Sequence, residues 1–462
     1  FKLCFSTFTL LVAWSFSANL SAATAAQTDA DRIVVMISVD GLAAYYFDDP
    51  KAEMPNIRAL AADGARAKSM KASDPTVTWP NHTTLVTGVT PARHGVVGNN
   101  YYDRAQQKRI TLILDPTYDK DEIVKVPTIY DIAKSNGLTT ASVNWPATRN
   151  AQALDWTVPE VRYRALMQKY TTPSLLKECE QNGIALLDEI YPPSGKRQSD
   201  EKADAVYMQI LNLVIARHRP QLALYHIGNV DHTQHATGPR SPESYEALKI
   251  ADAQVGEIWR EMQRSFPGKA TLLIVSDHGF SPINHMILPN VVLRQAGLIK
   301  VDGKKIVSGS VQTVPQAGSA MLYVTDDKNR AEIIGKIEKA FRHAPGISKI
   351  VGTDQLKKYG MANPKDDPNS PDVMLFAKEG YTFGDTAAGD LTFEEKPERQ
   401  GTHGHEASLP DLHATFVAWG EGIKPGARLG EISNLDVAPT IAKLLNISFP
   451  SADGKPLEKI LK

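Results

Sequence analysis

The sequence predicts an α/β fold: a doubly wound, mostly parallel sheet between helix layers, with a smaller inserted α+β segment. Three observations predict it. Nearly continuous apolar runs recur along the chain, as expected of strands buried on both faces of a parallel sheet. Helical stretches alternate with those runs, which is the pattern of βα units. The composition, 42% hydrophobic and 22% charged over 462 residues, is that of a globular chain with ample length for a core.

The elements follow in order. Lys2, the apolar stretch from Phe5 to Phe16 and the small residues from Ser21 to Ala26 have the layout of a secretory signal cut near Ala25 or Ala26. Residues 1–26 are therefore read as a signal peptide and 27–462 as the folded unit. The apolar stretch falls short of the roughly 20 residues of a membrane span, so no stable membrane anchor is expected. Of the two cysteines, Cys4 leaves with the signal and Cys179 remains, which suits a periplasmic or secreted protein without a disulfide framework.

Strands are expected at Arg32–Val39, Thr139–Asn144, Leu222–Ile227, Thr271–Ser276 and Thr415–Ala418. Helices are expected at Met54–Ala62, Thr83–Gly88, Thr128–Ser135, Glu201–Arg217, Pro242–Phe266 and Val437–Leu445. Between Phe280 and Gly401 the pattern loosens and turn-rich stretches appear, so roughly 281–402 is read as the insert. Lys and Arg total 51 against 52 Asp and Glu, and this balance argues against a binder of nucleic-acid polymer.

Ligands of open α/β sheets sit beyond the carboxyl ends of the strands. The residues found there are Asp40 in SVDGL, Asp231 and His235 in NVDHTQHATGP, and Asp277 and His278 in VSDHGF, with His403 in GTHGHE. Carboxylates and imidazoles hold divalent cations, and zinc accepts mixed oxygen and nitrogen shells. The spacing of four from Asp231 to His235 presents both side chains to one ion if the segment is helical. His82, His94, His232, His405 and His413 lie close in sequence to these motifs and are read as supporting or structural. Thr78, in DPTVTWPNH, precedes Pro80 and is placed at a helix N-terminus, where the dipole favours an alkoxide and attracts phosphate. Gly98-Asn99-Asn100 adds neutral amide donors downstream.

Taken together, SVDG, TVTWPNH, TGVTPARHGVVGN, VDHTQHATGP, SDHG and THGH resemble the nucleotide pyrophosphatase/phosphodiesterase family of the alkaline phosphatase superfamily, from about Arg32 to Leu445. The resemblance implies an alkaline-phosphatase-like catalytic domain with two Zn²⁺ ions. It implies Asp231, His235 and His403 on one zinc, and Asp40, Asp277 and His278 on the other. Thr78 would be the nucleophile, touching the second zinc and forming a phospho-threonine. Asn99, by its place in HGVVGN, would hold a phosphoryl oxygen with the Thr78 backbone N–H. The implied activity is hydrolysis of phosphodiester or pyrophosphate bonds in a small nucleotide-like substrate.

The weighed alternatives are a phosphomonoesterase, a phosphonoacetate-type hydrolase and a non-catalytic binding protein. A monoester dianion calls for a basic residue at the phosphoryl group, and Arg149, after Asn144-Trp145-Pro146-Ala147-Thr148, is the candidate. Trp79 has two readings, stacking on a nucleobase or packing in the core.

Overall fold

A computed structural model describes residues 32–113, 117–192 and 195–462. The expected signal peptide, with Cys4, lies outside the described residues. Eight strands form the central sheet in the order Ala427–Ser433, Ala65–Lys71, Phe416–Gly420, Ala270–Val275, Ile33–Val39, Leu222–Ile227, Thr140–Val143, Trp156–Val158. All run parallel except Phe416–Gly420, which is antiparallel to both neighbours.

Ile33–Val39 shows why an unbroken apolar run makes a central strand. Ile33, Val35, Ile37 and Val39 enter one hydrophobic core while Val34 and Met36 enter the other, and every residue is buried. Side chains alternate across a strand, so covering both faces demands apolar residues at every position. Each such side chain stabilises the fold by roughly 1.5–3 kcal/mol. The first face is covered by the helices Pro55–Asp63, Asp200–His218 and Pro242–Ser265. The second is covered by Thr78–Thr87, Ile129–Ser135 and Val437–Leu444.

Between Phe280 and Gly401 the chain folds apart from this sheet. Ser281–Ile287 lies between Gly380–Phe383 and Phe393–Thr402 in a three-stranded sheet. A four-stranded antiparallel sheet, ordered Val311–Gln316, Ser319–Val324, Val373–Ala377, Ile347–Gly352, carries the helix Arg330–Phe341 on its own core. Met321, Met374 and Phe376 from this sheet share a further cluster with Trp79, Val96 and Val97, so the insert packs directly behind the helix that begins at Thr78.

The Pro91–His94 turn carries a buried imidazole of defined tautomer. Val96 N–H donates to His94 Nδ1 at 3.2 Å, which leaves the proton on Nε2, 3.1 Å from Thr84 Oγ1. Burial lowers His94 from its ordinary 6.5 to about 3. Between those values the unfolded chain binds a proton that the folded chain refuses, so stability falls as pH drops from about 6.5 toward 3. Relative to His94→Leu, the wild type is expected to lose about 1.4 kcal/mol per pH unit between pH 6 and 4. Urea unfolding of both proteins across that range checks it, and parallel pH profiles would refute it.

Candidate functional site

Three neighbouring parallel strands end together at the centre of the sheet, and their exits deliver the chemistry. Ile33–Val39 leads into Asp40, Leu222–Ile227 into the helix Asn229–Thr237 with Asp231 and His235, and Ala270–Val275 into Asp277 and His278. His403 follows the strand Phe393–Thr402. Among the described residues, two sets of three ligand-bearing side chains emerge, Asp231 with His235 and His403, and Asp40 with Asp277 and His278. Within each set the ligand atoms lie within 4.8 Å of one another. The His278 and His403 rings stack at 3.7 Å between centroids, which brings the two sets side by side.

The imidazoles are oriented alike. His235 Nδ1 lies 3.2 Å from Gly401 O, His278 Nδ1 3.0 Å from Gly279 O, and His403 Nδ1 2.9 Å from Thr76 O. A backbone carbonyl accepts only from a protonated Nδ1, so each ring keeps its Nε2 for its set. That is how second-layer partners prepare histidine for a cation. Asp40 Oδ1, Asp231 Oδ1, Asp277 Oδ2 and His278 Nε2 are buried without hydrogen-bond partners among the described residues. Buried orphan acceptors converging in two groups fit divalent cations, and the mixed carboxylate and imidazole donors suit zinc. The Asp40 set is buried, whereas His235 keeps 40% of its side chain exposed, so access is from the Asp231 side.

Electrostatics add to this. Burial raises the Asp40 carboxyl well above its ordinary value, and the Asp277 and Asp231 carboxylates push it further. Burial also acts to raise Asp277, but the His278 and His82 imidazoles overcome it and hold that carboxyl far below the usual range. Burial lowers His403, with His278 and His235 adding to the effect. Carboxylates crowded in a buried space repel until a cation joins them.

Thr78 is the first residue of the helix Thr78–Thr87, which starts five residues before the expected Thr83. Pro80 is tolerated there because first-turn N–H groups have no intrahelical acceptor. The loop before the helix is held from several sides. Asn81 accepts from Ser73 N–H at 2.7 Å and donates to the carbonyls of Pro75 and Val77. Thr76 Oγ1 donates to His405 O at 2.8 Å, while Gly404 N–H donates to Thr76 O at 2.9 Å. Gly404 has φ +87°, and a Cβ there would stand 2.1 Å from Gln316 O, so no other residue fits. His82 Nδ1 lies 2.9 Å from Thr78 O and 3.6 Å from Asp277 Oδ2, which sets the Thr78 turn beside the buried set.

Asn99 Oδ1 accepts from Trp79 N–H at 2.9 Å, placing this amide at the same helix N-terminus. Asn99 N–H donates to Gln316 Oε1 at 3.0 Å, and Gln316 Nε2 donates to Asn100 O, so the insert fixes the turn. Trp79 is 1% exposed and packs with Val96, Val97 and Met321, which settles it in the core. Arg149 Nε donates to Asp119 Oδ1 at 2.8 Å and its guanidinium lies over the Tyr170 ring. Of the other histidines, His232 is largely exposed beside Asp200, His405 Nε2 donates to Tyr381 O, and His413 lies near Glu431.

Sequence reading missed His226 and Gln234. His226 Nε2 lies 3.0 Å from Asp40 Oδ2, and its only signal was a polar residue within the apolar run LALYHI. Gln234 donates from Nε2 to Gly41 O and accepts from Tyr46 O–H, tying the Asp231 helix to the turn after Asp40.

The chain is 23% identical over 433 residues to an uncharacterised pyrophosphatase/phosphodiesterase of Schizosaccharomyces pombe, covering 91% of this chain and 78% of that one. It is 28% identical over 422 residues to the venom phosphodiesterase of Crotalus durissus collilineatus, covering 91% of this chain but 45% of the venom enzyme. Murine ectonucleotide pyrophosphatase/phosphodiesterase 5, solved as an inactive variant in complex with AMP, shares the fold. The TM-score is 0.70 at 18% identity, covering 93% of this chain and 100% of the murine one. The central mostly parallel α/β sheet is thus alkaline-phosphatase-like, and among the described residues no helix is long and apolar enough to cross a membrane. With residues 34–406 matching the family model described as type I phosphodiesterase / nucleotide pyrophosphatase, the chain belongs to that family.

Proposed function

We propose that the protein is a zinc-dependent phosphodiesterase/nucleotide pyrophosphatase that cleaves small nucleotide-like substrates through a phospho-threonine on Thr78. The observation that carries this reading is the pair of Asp/His sets, with their orphaned ligand atoms, beside the helix that begins at Thr78. Asp231, His235 and His403 would hold one ion, and Asp40, Asp277, His278 and the Thr78 oxygen the other. When bound, the two ions supply positive charge that favours an ionised nucleophile and an ionised leaving group.

The chain's own residues do the rest. The Thr78 oxygen attacks phosphorus in line, the scissile P–O bond breaks, and the leaving oxygen departs with the bonding electrons. Asn99 Oδ1 is occupied by Trp79 N–H, so its Nδ2–H and the Thr78 N–H are the donors for a non-bridging oxygen. With a diester substrate the phospho-threonine still carries the nucleoside, and water then cleaves its bond to Thr78, releasing the nucleoside monophosphate and restoring the hydroxyl. A neutral amide suits a diester monoanion, and the engagement of Arg149 by Asp119 argues against a monoester site. The reading also takes residues 1–26 as an export signal, 27–462 as one catalytic domain with 281–402 inserted, and the mature protein as periplasmic or secreted.

With zinc added, p-nitrophenyl thymidine monophosphate is expected to be hydrolysed at least ~10-fold faster than p-nitrophenyl phosphate, about 1.4 kcal/mol in transition-state free energy. A preference for the monoester would transfer the assignment to a phosphomonoesterase. Inertness toward both, with zinc bound, would favour the phosphonate hydrolase.

A further inference from the structure

We propose that His226 is a positioning residue for Asp40, holding the outer carboxylate oxygen so that the other faces the cation. The inference rests on the reading of Asp40, Asp277 and His278 as a metal set, and extends it to a residue of the neighbouring strand.

Asp40 has two oxygens in different circumstances. Oδ2 lies 3.0 Å from His226 Nε2, whereas Oδ1, which belongs to the set, is buried without a hydrogen-bond partner among the described residues. A carboxyl group at the end of a strand is free to turn about its last bond, and a hydrogen bond on one oxygen removes that freedom. His226 is itself fixed. Its Nδ1 lies 3.1 Å from Asn144 O, and Asn144 Nδ2 donates back to His226 O at 3.2 Å. Asn144 sits at φ +56° and donates its N–H to Val158 O at 2.7 Å, so it is anchored to the next strand as well. The His226 ring packs 4.4 Å from His82, whose ring meets Trp145 edge-on at 5.0 Å.

His226 Nδ1 donates to the Asn144 carbonyl while Nε2 hydrogen-bonds the Asp40 carboxyl, and this separates the residue from a space-filling one. The three imidazoles within the sets present Nε2 to the other ligand atoms, while His226 presents its Nε2 to the back of one carboxylate. The arrangement also explains the Asn144-Trp145 segment. Asn144 clasps His226 directly, and Trp145 backs the His82 ring that supports it, so both act on Asp40 at one remove.

The test compares three variants of the full chain, stripped of metal with a chelator and titrated with Zn²⁺ against a chromophoric competitor. A glutamine amide reaches the position of Nε2, an asparagine amide only that of Nδ1, and leucine supplies no donor. His226→Leu and His226→Asn are expected to weaken the Zn²⁺ site that includes Asp40 by roughly 10–100-fold, the range for partners that orient metal ligands. His226→Gln is expected to stay within about threefold of wild type, a rescue that a packing role would not produce. Should His226→Leu fail to melt cooperatively, the Asn and Gln pair decides alone. Wild-type affinity in His226→Asn, or equal loss in His226→Asn and His226→Gln, overturns the proposal while leaving the metal reading intact. Absence of Zn²⁺ uptake by the wild type overturns the metal reading and this proposal together.

Discussion

Thr78→Ala is expected to lower diester hydrolysis on the order of 10⁴-fold or more, above ~5 kcal/mol of transition-state stabilisation. The size follows from the role. Asp40, Asp231 and Asp277 are all engaged in the two sets, so none of them takes over. Folding should be nearly untouched. Thr78 is the first helical residue and Val77 the cap position, where no side-chain cap bond is made, so alanine removes no cap and favours the helix slightly. Thr78→Ser keeps a hydroxyl and should retain measurable turnover. Acid quenching during turnover of p-nitrophenyl thymidine monophosphate should trap a wild-type chain that carries thymidine monophosphate esterified to Thr78, and an unmodified Thr78→Ala chain. Turnover within tenfold of wild type in Thr78→Ala, with a matching melting temperature, would exclude Thr78 as nucleophile.

The parts of the fold that were legible are those where burial is uniform. Ile33–Val39, Leu222–Ile227 and Ala270–Val275 are buried along their whole length and read as unbroken apolar runs. Ala65–Lys71 alternates buried and exposed positions with charged residues, and Trp156–Val158 is three residues long, so neither stands out as a strand. The antiparallel run of Phe416–Gly420 is equally hidden, because direction depends on how the chain returns from the insert and not on its residues. The same contrast holds at the site. Asp40, Asp277 and His278 were legible as candidates because they directly follow apolar runs. His226 was not, since inside a doubly buried strand no alternation marks which face a polar side chain takes. Gln316 approaches Asn99 from the insert, a contact 217 residues away in sequence that no local pattern encodes.

Asp40→Asn is expected to move function and metal-free stability in opposite directions. In the metal-free protein Asp40 is 4% exposed, and burial, Asp277 and Asp231 all disfavour its ionised form. A neutral amide removes that repulsion, and it can still hydrogen-bond His226 Nε2. The variant should therefore unfold at higher denaturant in chelator, by about 1–3 kcal/mol at neutral pH. The sign with pH follows from the raised folded value. Above the ordinary 3.8 the unfolded chain has lost a proton that native Asp40 retains, so metal-free wild type loses stability as pH rises through that window. The advantage of Asn should grow over the same range and then level off. With zinc at 100 times its dissociation constant, each ion bound only to the native state adds about 2.7 kcal/mol. Wild type should then overtake the variant, which binds the second ion poorly and loses activity by roughly 10³-fold or more. Urea titrations of both proteins, with chelator and with zinc, measure the crossing. An Asp40→Asn protein less stable than wild type in chelator would mean that the crowded carboxylates are not held apart from their preferred state, and retained activity would remove Asp40 from the metal set.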